Sequence, residues 1–118
     1  MMNKFFFSLK CAINGIKTVF KEEQNFKTEF FLGVLAVLLG ISLKVTSIEM
    51  IIIVLCIIIV LTAEIVNTAI EDLCDKVEPH HDKTIGKIKD IMAGFVLISS
   101  IGSIIIGMTI FLPKILVL

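Results

Sequence analysis

Three apolar runs govern what this chain can fold into. Phe30 to Leu43 is continuously apolar apart from Ser42, while Met50 to Ala63 and Ile91 to Leu112 carry no charge at all. Apolar segments of this length in lipid must satisfy their own backbone hydrogen bonds, and the helix is the form that does so within a single segment. Across the 118 residues, hydrophobic types make up 57% and the mean hydropathy is +1.02, outside the range of soluble domains. The expected fold class is therefore an all-α integral membrane protein of one domain. The last run is long enough to cross unaided, but each of the first two falls short of the roughly 20 residues a spanning helix needs. The first must start near Phe26 and the second must continue through Glu64 to about Ile70. This predicts spans over 27–45, 48–72 and 88–112, the second running on into the cytosol and the third ended by Pro113.

Ahead of the spans, Phe5, Leu9, Ile13, Ile16 and Phe20 recur at three and four residues, with Lys10, Asn14, Lys17 and Lys21 on the other side. That periodicity predicts an amphipathic helix over 5–22, lying on an anionic lipid surface or packed on a partner. The apolar stretch is interrupted at Lys10 and no small-residue cleavage site follows, so a cleavable signal is not expected. A polar cluster, Lys21 to Glu29, then leads into the first span; it reads as a solvated turn unless one of its carboxylates faces the second span. Residues 76–86, with Pro79 and Gly86 as breakers, read as a loop, and the adjacent His80 and His81 lack a third metal ligand.

Charge is segregated along the chain. Eleven acidic and eleven basic residues cancel, which gives no field suited to nucleic acid. Every basic residue is a lysine: nine flank the first span on its N-terminal side or lie between the second and third, and only Lys44 and Lys114 fall on the opposite side. The positive-inside rule places the N-terminus and the second loop in the cytosol. Cys11, Cys56 and Cys74 are too few and too scattered for a disulfide framework or a zinc site. Small residues form two stripes, Gly33, Ala36 and Gly40 in the first span and Ser99, Ser103 and Gly107 in the third, which would let helices approach closely. Three short spans do not enclose a polar site alone, so a homo-oligomer with sites between subunits is expected.

The chemistry is concentrated where the second run ends. Glu64, Asn67, Thr68, Glu71 and Asp75 stand at i, i+3, i+4, i+7 and i+11 and share one helix face. About 14 residues of apolar helix carry the chain some two thirds of the way across a core of about 30 Å before Glu64 is reached. Ionisable groups at that depth are costly and mark function, although the file also reads as the wet end of a membrane helix. Phosphoryl transfer needs cations on the phosphates and a group to take the attacking hydroxyl's proton. Glu71 and Glu23 suit Mg²⁺, Lys89 a phosphate, and Glu64 the base. Neither a Walker loop nor a kinase glycine loop is present. Ion translocation would call for an isolated midplane carboxylate instead of a file at one surface, and a scaffold subunit would not need this spacing.

These residues resemble the small three-span prokaryotic diacylglycerol kinases and the similar undecaprenol kinases of Gram-positive bacteria. Glu64-Ile65-Val66-Asn67-Thr68-Ala69-Ile70-Glu71, with Asp75, resembles the family's ExxN[ST]AIExxxD signature. Lys89-Asp90 with Ala93 resembles its KDxxA motif, the cluster containing Glu23, Asn25, Lys27 and Glu29 its ExNF[KR] approach to the first span, and Gly15-Ile16-Lys17 its surface helix. Asn14 departs from the pattern where a basic residue is expected, and His80-His81-Asp82 stands where a tyrosine-histidine pair is expected. The resemblance implies a homotrimer in the bacterial inner membrane, with active sites shared between subunits, that uses ATP and Mg²⁺ to phosphorylate a lipid hydroxyl. It implies Glu64, Asn67 and Asp90 as catalytic residues and Glu23 and Glu71 as metal ligands. Lys89, Glu71, Glu23, Lys17, Asp75 and Thr68 would serve nucleotide binding. Asn25-Phe26-Lys27 and Phe111-Leu112-Pro113-Lys114 resemble the Gram-positive branch, favouring undecaprenol with diacylglycerol as runner-up.

Overall fold

A computed structural model describes residues 2–118. The described residues form four α-helices: α1 (Met2–Glu22), α2 (Gln24–Ser42), α3 (Ser47–Val77) and α4 (Lys83–Leu116). The helices α2, α3 and α4 are long and apolar enough to cross a membrane. At 1.5 Å per residue, the 31 residues of α3 measure about 46 Å and overrun an apolar core of about 30 Å. The excess is the C-terminal part that carries Glu64 to Asp75.

Local chemistry sets the helix ends. Thr46 and Glu49 form a reciprocal capping box at the start of α3: the Glu49 N–H donates to Thr46 Oγ1 at 3.1 Å and the Thr46 N–H to Glu49 Oε1 at 2.9 Å. At the end of α2 the chain turns back at Lys44, whose φ of 57° is left-handed. The Val45 N–H bonds the Gly40 carbonyl at 3.1 Å and the Lys44 N–H bonds Ile41 at 3.2 Å, the pairing of a Schellman turn. Asp82 caps α4 by accepting from the Ile85 N–H at 3.0 Å. Because that cap starts α4 early, the break between α3 and α4 is only Glu78–Asp82, and Gly86 lies inside α4 where a loop residue was expected. Pro113 does not end α4, which runs on to Leu116. Proline removes one N–H, and only three helical residues follow it, so the loss is confined to the last turn.

The helices α3 and α4 run antiparallel and are pinned at both ends. Lys114 Nζ lies 3.1 Å from Glu49 at one end, and Lys89 Nζ lies 2.6 Å from Asp75 at the other. Between them, Gly33 and Gly40 let α2 close onto α3: a Cβ at Gly33 would stand 2.9 Å from Ile57 Cγ2, and one at Gly40 would stand 3.0 Å from Met50 Cε. The stripe in the first span is thus used within the chain. On α4, a Cβ at Gly107 would meet nothing within 4 Å, while Ser103 Oγ donates across to the Cys56 carbonyl at 3.4 Å. Thr62, Ser99 and Thr109 spend their hydroxyls on carbonyls of their own helices, which keeps donors satisfied in an apolar setting.

At the other end of the chain α1 meets α2 in an aromatic elbow. The Phe20 ring makes edge contacts with Phe26, Phe30 and Phe31 at centroid distances of 6.4, 5.6 and 6.0 Å, and Lys27 Nζ lies 5.5 Å from its centre. Glu23 is the single residue between the two helices, with φ −108° and ψ 109°. Its N–H still bonds the Val19 carbonyl at 2.9 Å and its carbonyl accepts from Lys27 at 3.2 Å, so the chain bends without losing its ladder.

Candidate active site

The polar file on α3 is graded in burial as well as in position. Glu64 is 3% exposed and Thr68 4%, Asn67 and Glu71 are half-buried, and Asp75 is exposed. Thr68 turns its hydroxyl inward, donating to the Glu64 carbonyl at 2.9 Å. Asn67 Nδ2 donates to Glu71 Oε1 at 3.5 Å, while Asn67 Oδ1 is buried and accepts from no donor among the described residues. A buried amide oxygen without a partner costs about 1–3 kcal/mol, which is retained where a ligand supplies the missing hydrogen bond.

The bend between α1 and α2 brings further carboxylates to this face. Partial desolvation pushes the Glu23 carboxyl above the usual carboxylate range, and the charges of Glu71, Glu64, Asp72 and Glu22 push in the same direction. Among the neighbouring charges that of Glu71 acts most strongly on Glu23, and two carboxylates coupled in this way are an arrangement that a divalent cation would relieve. Magnesium takes one or two protein carboxylates and fills its octahedron with phosphate oxygens and water, so this pair fits it. Among the described residues no group of three or more His, Cys, Asp or Glu is gathered as a closed metal cage.

Glu29, on the first turns of α2, is the residue that sequence reasoning left out of the site. Its side chain is half-buried, and its carboxyl lies within hydrogen-bonding reach of that of Glu64. The Lys21 to Glu29 cluster is therefore no solvated turn: it supplies Glu23 and Glu29 to the α3 face. The signal was available, because Glu29 sits at the edge of an apolar run just as Glu64 does, and the same rule on ionisable groups at membrane depth applies to both.

Not every expected residue converges on this point. Lys89 is held by Asp75 at the rim. Asp90, one residue on, lines a separate shallow groove of about 490 Å³ with His81, Lys83 and Lys87. Lys17 is exposed on α1. A second, largely apolar groove of about 320 Å³ runs between α2, α3 and α4 and has Glu29 in its wall, together with Ile57, Val60, Ile104 and Phe111. The arrangement is a carboxylate cluster at one end of an apolar furrow, with lysines at its outer edge. It can hold a cation at the rim and receive a polar group attached to an apolar chain further in.

The chain is similar in sequence to known proteins. Residues 10–111 match the family model described as prokaryotic diacylglycerol kinase. An undecaprenol kinase of Bacillus subtilis (strain 168) is 34% identical over 113 residues, 96% of this chain and 92% of its own length. A diacylglycerol kinase of Haemophilus influenzae is 31% identical over 83 residues, 70% of each chain. One of Escherichia coli (strain K12) is 29% identical over 91 residues, 77% of this chain and 75% of its own. The match reaches from α1 to α4 and takes in Glu23, Glu29, the whole α3 file and Lys89-Asp90, and the chain belongs to the prokaryotic diacylglycerol kinase family.

Proposed function

We propose that this protein transfers the γ-phosphoryl group of ATP, bound with Mg²⁺, to the hydroxyl of a membrane lipid, undecaprenol in preference to diacylglycerol. The observation that carries this reading is a nearly inaccessible carboxylate, Glu64, standing about one turn inward of an orphaned amide oxygen and about two turns inward of Glu71, whose charge acts on Glu23. A lipid hydroxyl arrives from the apolar side and ATP from the water side, and this file spans the boundary between them. The undecaprenol preference rests on the relative named for that activity, which aligns with 96% of this chain.

In this reading Glu64 accepts the hydroxyl proton as the lipid oxygen bonds to the γ-phosphorus and the bond to the departing ADP breaks. Asn67 offers its free Oδ1 and its amide to orient the incoming groups. Glu23 and Glu71 would hold Mg²⁺, whose chemistry there is to neutralise phosphate charge. Lys89, with Asp75 steadying its ammonium, contacts a phosphate at the rim; Asp90 and Lys17 would act on the nucleotide, and Thr68 fixes the backbone turn beneath Glu64. The nine lysines ahead of the first span and between the second and third support an orientation in a bacterial inner membrane with the N-terminus and the α3–α4 connection on the cytosolic side and α1 along that surface.

Assembly as a homotrimer is part of the proposal. The chain exposes 8838 Å² against about 6400 Å² expected for a compact monomer of its mass. Many large apolar side chains are exposed, Leu35, Ile41, Ile98 and Ile104 among them, and neighbours as well as lipid would cover them.

The test supplies purified protein with labelled ATP and Mg²⁺ and offers undecaprenol and diacylglycerol in parallel. Transfer to undecaprenol at the higher kcat/KM is the expected result; transfer to neither removes the kinase reading. Glu64→Gln should lower kcat by about 10²–10⁴ while MgATP still binds, as for loss of a general base.

A further inference from the structure

Glu29 has no part in the reaction as written above, yet it stands against the one group that has the central part. Resting on the kinase reading, we propose that Glu29 is a positioning residue: its carboxyl donates a hydrogen bond to the Glu64 carboxylate and fixes the oxygen that receives the lipid proton.

Three observations support this. Glu29 Oε2 is buried and meets no N–H or hydroxyl donor among the described residues, and the side chain lies within hydrogen-bonding reach of the Glu64 carboxyl. Glu64 is itself 3% exposed, so water does not bridge the pair freely. Glu29 also forms part of the wall of the apolar groove between α2, α3 and α4, which places the pair where a long-chain alcohol would present its hydroxyl.

Two carboxyl groups can hydrogen-bond only if one keeps its proton, because an ionised carboxylate is an acceptor alone. The surrounding charges do not offer another solution. Around Glu23, on which Glu64 also acts, the charges come from Glu22 of the α1–α2 bend and from Glu64, Glu71 and Asp72 of α3, all acidic. Two lysines of the adjoining helices are engaged elsewhere: Lys89 of α4 with Asp75 at 2.6 Å, and Lys27 of α2 over the Phe20 ring. The pair is thus left with one proton and one negative charge. Glu29 as donor leaves Glu64 ionised, with one oxygen held and the other free for the lipid hydroxyl. After transfer, the proton taken by Glu64 must leave before the next turnover, while the one on Glu29 stays.

The experiment compares wild type, Glu29→Gln and Glu29→Ala in lipid bicelles, measuring kcat, KM for MgATP, thermal stability and the infrared carbonyl stretch of protonated carboxyl groups. The glutamine keeps a donor of the same reach in its amide N–H; the alanine does not. Glu29→Ala should lower kcat by about 10- to 100-fold, the scale of a misplaced reacting group, with KM for MgATP unchanged. Glu29→Gln should restore kcat to within a few-fold of wild type and should lose a protonated-carboxyl band that wild type shows. An alanine variant as fast as wild type, a glutamine variant as slow as alanine, or a wild-type spectrum without that band would overturn the proposal. If wild type itself phosphorylates neither lipid, the kinase reading fails, and the infrared comparison still decides whether the pair shares its proton.

Discussion

Glu23 shows how one residue can couple backbone geometry to chemistry. It is the only non-helical position between α1 and α2, and its carboxyl there lies within range of the Glu71 charge. Desolvation and then the neighbouring charges raise its proton affinity in the folded state above that of the unfolded chain. The sign follows: the fold gains nothing from this group at low pH and loses stability as pH climbs from the ordinary carboxylate range through the raised value. A cation shared by Glu23 and Glu71 reverses that loss, since it binds the ionised forms. Melting curves with and without Mg²⁺ should accordingly show a larger rise in Tm at about pH 8 than at about pH 5. Glu23→Gln should make the rise small and equal at the two values; an unchanged pH dependence in that variant would remove Glu23 from the cation site. The sequence already offered Glu23 and Glu71 as a cation pair; what it did not show was the bend that brings Glu23 and Glu29 of the Lys21 to Glu29 cluster to α3, because local polarity there reads as solvation.

At the scale of elements, the close approach of α2 to α3 decides whether Glu29 can reach Glu64 at all. Gly33 lies about one turn beyond Glu29, and a methyl group there would stand 2.9 Å from Ile57 Cγ2. That atom is on the β-carbon of a β-branched side chain and has little freedom to move. Gly33→Ala should cost about 1–3 kcal/mol, as overpacking does, and should lower kinase activity by tilting α2 away from the site. Adding Ile57→Ala should restore both, which a loss due only to helix propensity would not show. Thermal unfolding in detergent, run beside the lipid-kinase assay, measures the pair of effects. The glycine spacing is visible in the sequence, but a small-residue stripe does not say which helix it meets. Here the partner of the first stripe is α3 of the same chain, and that choice depends on the tight turn through Lys44.

For the whole molecule, the disposition of carboxylates bears on how the subunits of the proposed trimer would share the work. Glu23, Glu29, Glu64 and Glu71 are brought within interacting distance by one chain. Mixed oligomers of Glu23→Gln and Glu64→Gln subunits should therefore recover no activity above their inactive parents, because every chain carries one defect in its own cluster. Recovery toward the statistical fraction of intact sites, measured after co-expression with two different tags, would mean that Glu23 serves its neighbour. Asp90 and Lys17 stand apart from the cluster, and these are the groups a neighbouring subunit could bring to it.

The sequence by itself determined that the chain is helical, that three stretches are apolar enough to cross a bilayer and that five polar residues share one face where the second stretch ends. These properties are periodic and local, and a lipid solvent leaves the backbone no alternative. It also carried the family motifs on that face. The exact helix ends were less legible, since the Asp82 cap and the tolerated Pro113 depend on single hydrogen bonds. What only the tertiary structure decided was the company Glu64 keeps. Two carboxylates from a polar cluster some forty residues upstream are carried to it by a one-residue bend and a glycine contact, and sequence spacing cannot express distances that close through space. The file on α3 is a motif; Glu23 and Glu29 make it a site.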